Sequence, residues 1–434
     1  MRHYLLLFIF LFFSCSERKA GPRDLRPEAL VEWEYELAEI IRKDIFPPPQ
    51  VSRIFAYAHI AAYEAMLPAY PDHPTFVGDL KGLEELPVPQ DKEGFDPELA
   101  ALTAYLRTAR SMVYNEEAVD QFQQRWTDSL STVIADADVV GNSVEFGERM
   151  ARAVIQWASS DMFKETRSMM RYSPLGEEYA WEPTPPAFAS AFEPHWDLVR
   201  PFVVDSTMIS RQLPVPEFRK DPGSPFHNEA LAVYTAVNEL NDSLERIAWY
   251  WDDNPNTLLQ TGHVMIKVQK HSPSSHWMLL AGKESLAAGH DAPYTARTLA
   301  LTAIAMHDAF IHCWHGKYTY NVIRPITYIN RYIDPDWRTV IQTPPFPECP
   351  SGHSSVSRAA AVVLSYRIDD EHAFTDITEK QFGLGERSFP SFIAAAEEAK
   401  MSRLYGGIHF PFGNEIGAAM GDTIGKAIIH RVDP

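Results

Sequence analysis

Apolar residues recur at helical spacing along most of this chain, and no stretch shows sustained strand alternation. Leu30, Trp33, Leu37, Ile40 and Ile41 share one face of a helix over Glu28–Lys43. Ile54, Phe55, Ala58, Ala61 and Ala62 do the same over Val51–Met66. Pro47-Pro48-Pro49 separates the two, because proline lacks an amide donor and fixes φ. The same reading predicts helices over Pro97–Met112, Ala118–Ile134 and Ser143–Ser159. It then predicts His227–Asn241, Ser243–Trp251, Ser275–Ala288, Ala292–Tyr318, Ser354–Leu364, Ser391–Met401 and Asn414–Arg431. Elements of this one kind bury their apolar faces helix against helix, so the expected class is all-α.

Two stretches break the pattern. Pro68–Pro97 is proline-rich without periodicity and reads as a loop. Lys164–Pro225 carries ten prolines, but also Trp181, Phe188, Phe192 and Trp196. Flexible linkers are poor in aromatics. This segment is therefore expected to be ordered, irregular and packed over the helices. Structureless segments of this length in compact domains commonly line or cover a site.

Hydrophobic residues are 45% of the chain and charged residues 22%, as in a folded globular protein. The formal net charge of −19 argues against a nucleic-acid partner. It also means that any anion site needs a local cluster of cations against a repulsive background. At the start, Arg2 and His3 precede the apolar run Tyr4–Phe13 and then Ser14-Cys15. That run is too short to span a bilayer and fits a signal-peptide core. A small residue just before Cys resembles the lipobox of bacterial lipoproteins, which implies a lipid anchor on Cys15 and a tether over Ser16–Gly21. The expected address is an exported, membrane-anchored lipoprotein facing the periplasm or the cell surface; an ordinary secretory signal is the alternative. Export permits a bridge between Cys313 and Cys349, but they lack framework spacing, so two buried free thiols are expected. The expected organisation is a leader and tether over 1–21, N-terminal helices with the Pro-rich covering segment over 22–225, and a C-terminal helical bundle over 226–434, in one compact unit.

Three polar motifs interrupt the C-terminal helices. In Lys317–Pro325, KYTYNVIRP, Lys317 and Arg324 are seven residues apart, a spacing that shares one face of a continuous helix. Pro325 marks where regular structure stops. Lys offers a point charge and Arg a planar fork for two oxygens. Pro350-Ser351-Gly352-His353 precedes the helix over Ser354–Leu364. Free amides at such an N-terminus suit an anion, Gly352 allows close backbone approach, Ser351 adds a donor, and His353 is placed to exchange a proton. Taken alone, this stretch reads equally well as a plain N-cap. In Ser402–His409, SRLYGGIH, Gly406-Gly407 breaks the helix ending near Met401 and turns Arg403 and His409 toward one point. His307, His312 and His315 lie on one helix, with only Asp308 to complete a ligand set. They read as core or supporting residues, with His315 nearest the pocket.

The order and spacing of the three motifs resembles the type-2 phosphatidic acid phosphatase superfamily, which includes bacterial acid phosphatases and vanadium-dependent haloperoxidases. Lys317, Arg324, Pro325, Pro350, Ser351, Gly352, His353, Ser402, Arg403 and His409 match its core positions. Trp181–Phe202 and Tyr250–Pro255, YWDDNP, resemble bacterial members of the vanadium haloperoxidase branch. That resemblance implies a vanadate cofactor held as a phosphate look-alike. His409 would bond the vanadium. Lys317, Arg324, Arg403, Ser351 and the Gly352 amide would hold its oxygens, and His353 would act as acid–base. Hydrogen peroxide polarised by Lys317 would then oxidise a halide to hypohalous acid, with an organic acceptor possible downstream. In the phosphatase alternative, His409 is the nucleophile and His353 protonates the leaving oxygen. A non-catalytic anion-binding lipoprotein is the third reading.

Six neighbours refine the resemblance. Phe346 stands where chloroperoxidase-like members have Phe and bromoperoxidases His. Trp314, nearly one turn before Lys317, is placed to line the pocket or to pack in the core. Asp252 and Asp253 resemble an acid that supports the acid–base His. Many relatives carry Asp four residues after the last His, but here that position is Gly413, followed by Asn414. The expectation is that a backbone carbonyl or Asn414 orients His409 instead.

Overall fold

The computed structural model describes residues 24–91, 94–205, 213–255, 257–261 and 264–433. The leader, with Cys15, lies outside them. Among the described residues the N-terminal helices are α1 (Pro27–Asp44), α2 (Pro48–Met66), α3 (Pro97–Arg110), α4 (Glu116–Val133), α5 (Ala137–Ala158) and the single turn α6 (Phe163–Thr166). The C-terminal ones are α7 (Pro225–Asn238), α8 (Asp242–Tyr250), α9 (Pro273–Ala287), α10 (Ala292–Tyr320), α11 (Pro325–Tyr332), α12 (Gly352–Arg367), α13 (Phe392–Tyr405) and α14 (Pro411–Val432). Two short antiparallel hairpins pair β1 (Thr257–Thr261) with β2 (Val264–Val268), and β3 (Phe374–Asp376) with β4 (Arg387–Phe389). Strands of three and five residues are too short to show sustained alternation, so the sequence pattern passes over them. The class is all-α.

The 29-residue α10 forms the axis. Asp291 caps it by accepting from the Tyr294 amide at 2.9 Å, and Pro293 needs no partner in the first turn. Ala296, Leu299, Ala300, Ala303, Ile304 and Met306 are buried around its circumference, as expected of a helix packed on all sides. One apolar core runs through it from Leu25 to Val432 and joins α1–α3 to α12 and α14.

The last helix lies very close to α12. Gly417, Gly421 and Gly425 repeat every fourth residue on its inner face. A Cβ on Gly417 would stand 2.6 Å from the Ser351 carbonyl oxygen, and one on Gly421 would stand 2.1 Å from that of Ser355. One on Gly425 would stand 2.8 Å from Val362 Cβ. These are contacts only glycine permits, so the stripe sets the distance between the two helices.

The Pro-rich segment is ordered where described. Buried Asp308 on α10 accepts from the backbone amides of Phe202, Val203 and Val204 at 2.7, 2.9 and 2.9 Å. Trp181 N donates to Asn321 O at 2.9 Å, and Phe192 N donates to Pro345 O at 3.0 Å. Asp308 is therefore a clamp for this segment and not a metal ligand beside His307 and His312. The expected place of His315 is corrected. The ring pairs with Asp197 at 3.1 Å near the surface, away from the pocket. Cys313 and Cys349 are both free and buried, and the Cys313 thiol donates to Pro350 O at 3.4 Å.

Gly421→Ala should cost about 1–3 kcal/mol by overpacking. Urea unfolding of the variant measures this, and an unchanged midpoint would contradict the close packing. Burial also pushes His307 and His312 down to about 3 and about 4. In the unfolded chain they titrate near 6.5. Their contribution is thus fully present above about pH 6.5 and is lost as pH falls toward these lowered values. Each adds about 1.4 kcal/mol per pH unit to the slope once the unfolded chain is protonated. Urea midpoints should fall from pH 6.5 to pH 4, and His312→Gln should flatten that decline.

Candidate active site

The three motifs converge, but not as one helix face plus two turns. Helix α10 ends at Tyr320, where Asn321 takes a left-handed φ of 49° and its amide returns to Lys317 O. Arg324 then sits at the N-cap of α11, and Pro325 opens that helix instead of stopping one. Lys317 and Arg324 are thus not on a continuous helix. The chain reversal, not the seven-residue spacing, brings them together. Helix α13 runs on to Tyr405, which places Arg403 in its last turn. Gly407, at φ 77°, makes the turn to His409. Ser351 caps α12, accepting from Ser354 N at 3.4 Å and from Ser354 Oγ at 2.9 Å. Ser351 N itself donates to Gly413 O at 2.9 Å, which ties the turn to the start of α14.

All the cations are buried. Lys317 Nζ donates to Pro347 O and Glu348 O, each at 3.0 Å, and to Pro350 O. Its ammonium also lies over the Phe346 ring at 4.8 Å. Arg324 donates from Nε to Phe346 O at 2.8 Å and from Nη1 to Ile408 O at 2.9 Å. Arg403 donates from Nη1 to His353 Nε2 at 3.0 Å. Nη2 of Arg324 and of Arg403 has no protein partner. Two buried guanidinium donors without acceptors are a strong demand for an anion. Burial pushes Lys317 down to about 8 and both arginines down to about 10. An oxyanion between them would favour their charged forms again.

His409 faces this cluster through Nε2, 3.3 Å from Arg324 Nη1. Its other nitrogen, Nδ1, lies 2.7 Å from Glu348 Oε1. The same oxygen accepts from Phe410 N at 3.0 Å. Glu348 was not legible as a site residue, because it lies outside the matched motif positions. The expectation that a carbonyl or Asn414 orients His409 is corrected. Asn414 Oδ1 accepts from Ser354 Oγ at 3.3 Å instead. The reason is steric as well as electrostatic. A Cβ at Gly413 would lie 2.2 Å from Glu348 Oε1, so the glycine leaves the room that this carboxylate fills. Burial pushes Glu348 up to about 7, against the pull of Arg324 and Lys317. Oε1 already accepts two N–H groups, so a proton there would reside on Oε2, which has no partner. In either state the His409 proton stays on Nδ1 and the Nε2 lone pair faces the cations.

His353 opens toward a cavity of about 270 Å³. Burial and the charge of Arg403 push it well below its ordinary value, so its ring is neutral, with Nε2 accepting from Arg403. Asp253 Oδ2 lies 4.0 Å from its Nε2, a charge neighbour beyond hydrogen-bond range. Asp252 points elsewhere, toward Lys270 Nζ at 3.8 Å, while its backbone carbonyl accepts from Arg403 at 3.4 Å. Gly352, His353, Arg403 and His409 form the polar floor of the cavity. Phe192, Phe310, Trp314, Pro344, Pro345 and Phe346 are among the residues of its apolar wall. The Pro-rich segment therefore does line the site. Trp314 lines it too and meets Phe346 with ring centroids 5.0 Å apart.

A neutral histidine lone pair ringed by three cations and backed by a carboxylate fits a tetrahedral oxyanion with an open ligand position. Comparison with known proteins gives this geometry its family. Residues 297–433 match the VCPO second helical-bundle domain. No curated protein matches the chain. Among solved structures, the first bacterial vanadium-dependent iodoperoxidase is 35% identical, with a TM-score of 0.88 over 95% of this chain and 98% of that one. A holo-type bacterial vanadium-dependent chloroperoxidase is 16% identical, with a TM-score of 0.69 over 96% of this chain and 98% of that one, and shares the fold. The chain belongs to the vanadium-dependent haloperoxidase family.

Glu348→Ala should lower the affinity of the cofactor-free protein for orthovanadate roughly 10–100-fold, the usual effect of losing a carboxylate behind a histidine ligand. Calorimetric titration measures it, and wild-type affinity in the variant would remove Glu348 from this role.

Proposed function

We propose that this enzyme uses hydrogen peroxide and a vanadate cofactor to oxidise a halide to hypohalous acid, with iodide the first halide to test. The observation that carries the site assignment is the pair of buried, acceptorless Nη2 groups on Arg324 and Arg403, beside the cation-facing Nε2 of His409. Iodide comes from the family's side, through the likeness to a bacterial iodoperoxidase.

In this reading His409 Nε2 would bond the metal, Arg324, Arg403, Ser351 and the Gly352 amide would hold the oxygens, and Lys317, whose three N–H groups meet carbonyls, would add its charge. Bound vanadate supplies a Lewis acid that activates peroxide without changing its own oxidation state. The protein's share is electrostatic and positional. The three cations are fixed before the anion arrives, so little reorganisation is needed. Lys317 is anchored by three carbonyls at the mouth of the PSGH turn, where its charge polarises an oxygen held by the floor. His353 lines the cavity and would serve as its acid–base, once Arg403 Nη1, which here donates to His353 Nε2, turns to the anion. Phe346 and Trp314 keep water from the reacting oxygen while leaving room for a polarisable halide.

Vanadate added to the cofactor-free enzyme with peroxide should give iodide oxidation that phosphate suppresses. His409→Ala should abolish it. No halide oxidation in the presence of vanadate, together with hydrolysis of p-nitrophenyl phosphate, would replace this reading with the phosphatase one.

A further inference from the structure

Behind Asp253 lies a second buried cluster that the oxyanion chemistry does not use. It joins Asp253, on the loop after α8, to His276 in the first turns of α9 and to Asp376 and Glu379 in and after β3. Asp253 is 2% exposed and the other three are 0% exposed. His276 Nδ1 lies 3.0 Å from Asp253 Oδ1, and its Nε2 lies 2.7 Å from Asp376 Oδ2. Asp376 is itself fixed, since its Oδ1 accepts from Thr378 N at 2.9 Å and from Thr378 Oγ1 at 2.7 Å. Trp251 stacks on the His276 ring at 4.6 Å and 9°, which sets the ring plane. Glu379 has no such support. Neither of its oxygens has a hydrogen-bond partner, and Asp253 Oδ2 also lacks one. Donor atoms of Asp253, His276 and Glu379 nevertheless lie within 4.8 Å of one another.

Against three buried carboxylates stand only the His276 imidazole and the buried Lys270 ammonium, itself 3.8 Å from Asp252, which leaves negative charge that needs a counter-charge or a proton. We propose that Asp253, His276 and Glu379 form a buried site for a divalent transition-metal ion of the Zn²⁺ or Mn²⁺ kind. One imidazole nitrogen and two carboxylates are donors that such ions take. Asp376 then accepts the Nε2 proton of His276, which frees the Nδ1 lone pair for the ion; carboxylates commonly back histidine ligands in this way. The 3.0 Å between Nδ1 and Asp253 Oδ1 is close to the separation of adjacent ligands at metal bonds of about 2.1 Å. Water completes the coordination. Asp253 holds φ 43°, a conformation non-glycine residues seldom take, which aims its carboxylate between this cluster and His353. The ion thus sits one carboxylate away from the acid–base histidine.

The test uses the full chain, freed of vanadate, dialysed against a chelator and titrated separately with MnCl₂ and ZnCl₂. One saturable Mn²⁺ equivalent, read by electron paramagnetic resonance, and a melting temperature that rises with the ion are expected. Saturating phosphate should leave the titration unchanged, because it occupies the other site. Glu379→Gln should abolish binding, and Asp376→Asn should weaken it roughly 10–100-fold. If neither ion binds saturably or raises the melting temperature of the wild-type protein, the proposal is overturned whether or not the variants fold. Binding that survives Glu379→Gln overturns it as well. A Glu379→Gln protein that melts higher than a wild type binding neither ion identifies a buried proton in place of the metal.

Discussion

The close approach of α14 to α12 is the constraint on which the site depends. Helices separated by ordinary side chains pack 8–10 Å apart. Here Gly417, Gly421 and Gly425 let the backbone of one helix press on the carbonyls and side chains of the other. Gly413 continues the same stripe into the first turn of α14, and there the space admits Glu348 instead of a helix. A single repeat of small residues thus does two jobs. It sets the floor on which the PSGH turn rests, through Ser351 N on Gly413 O, and it leaves the slot for the carboxylate that holds His409.

Burial then decides the chemistry. In a chain of net charge −19, a cluster of three cations is possible only where protein carbonyls and rings replace water around them. Lys317 is held by three carbonyls, and both arginines are held by backbone oxygens and lie beside the His409 and His353 rings. The two Nη2 groups lack acceptors, which an oxyanion would supply. The apolar wall of Phe310, Trp314 and Phe346 lowers the local dielectric, so each charge acts more strongly on the bound anion than it would in water.

The neighbouring Asp253–His276–Asp376–Glu379 cluster extends this economy of charge. It places acids near His353, whereas Glu348 stands behind His409. The two histidines therefore differ in their support. His409 has a carboxylate at 2.7 Å on its far nitrogen, while the nearest acid to His353 stands at 4.0 Å. A carboxylate fixes the His409 tautomer, whereas a guanidinium, Arg403 Nη1 at 3.0 Å, sets that of His353.

Much of this was legible in the amino acids. The helical period alone set the all-α class, because repetition at 3.6 residues is local and survives translation into structure. The motif positions Lys317, Arg324, Ser351, Gly352, His353, Arg403 and His409 were readable as a set, and they do converge. Their route was not readable. The break at Asn321, the N-terminal role of Pro325 and the extension of α13 to Tyr405 depend on caps and turns whose boundaries local pattern places poorly. Glu348 was invisible because a carboxylate gains a role from what it touches, and nothing in its neighbours' identity announces His409 sixty-one residues away. The sequence by itself determined which charges and which helices exist. Only the tertiary structure decided which acid faces which histidine, because that pairing is set by the distance between α12 and α14.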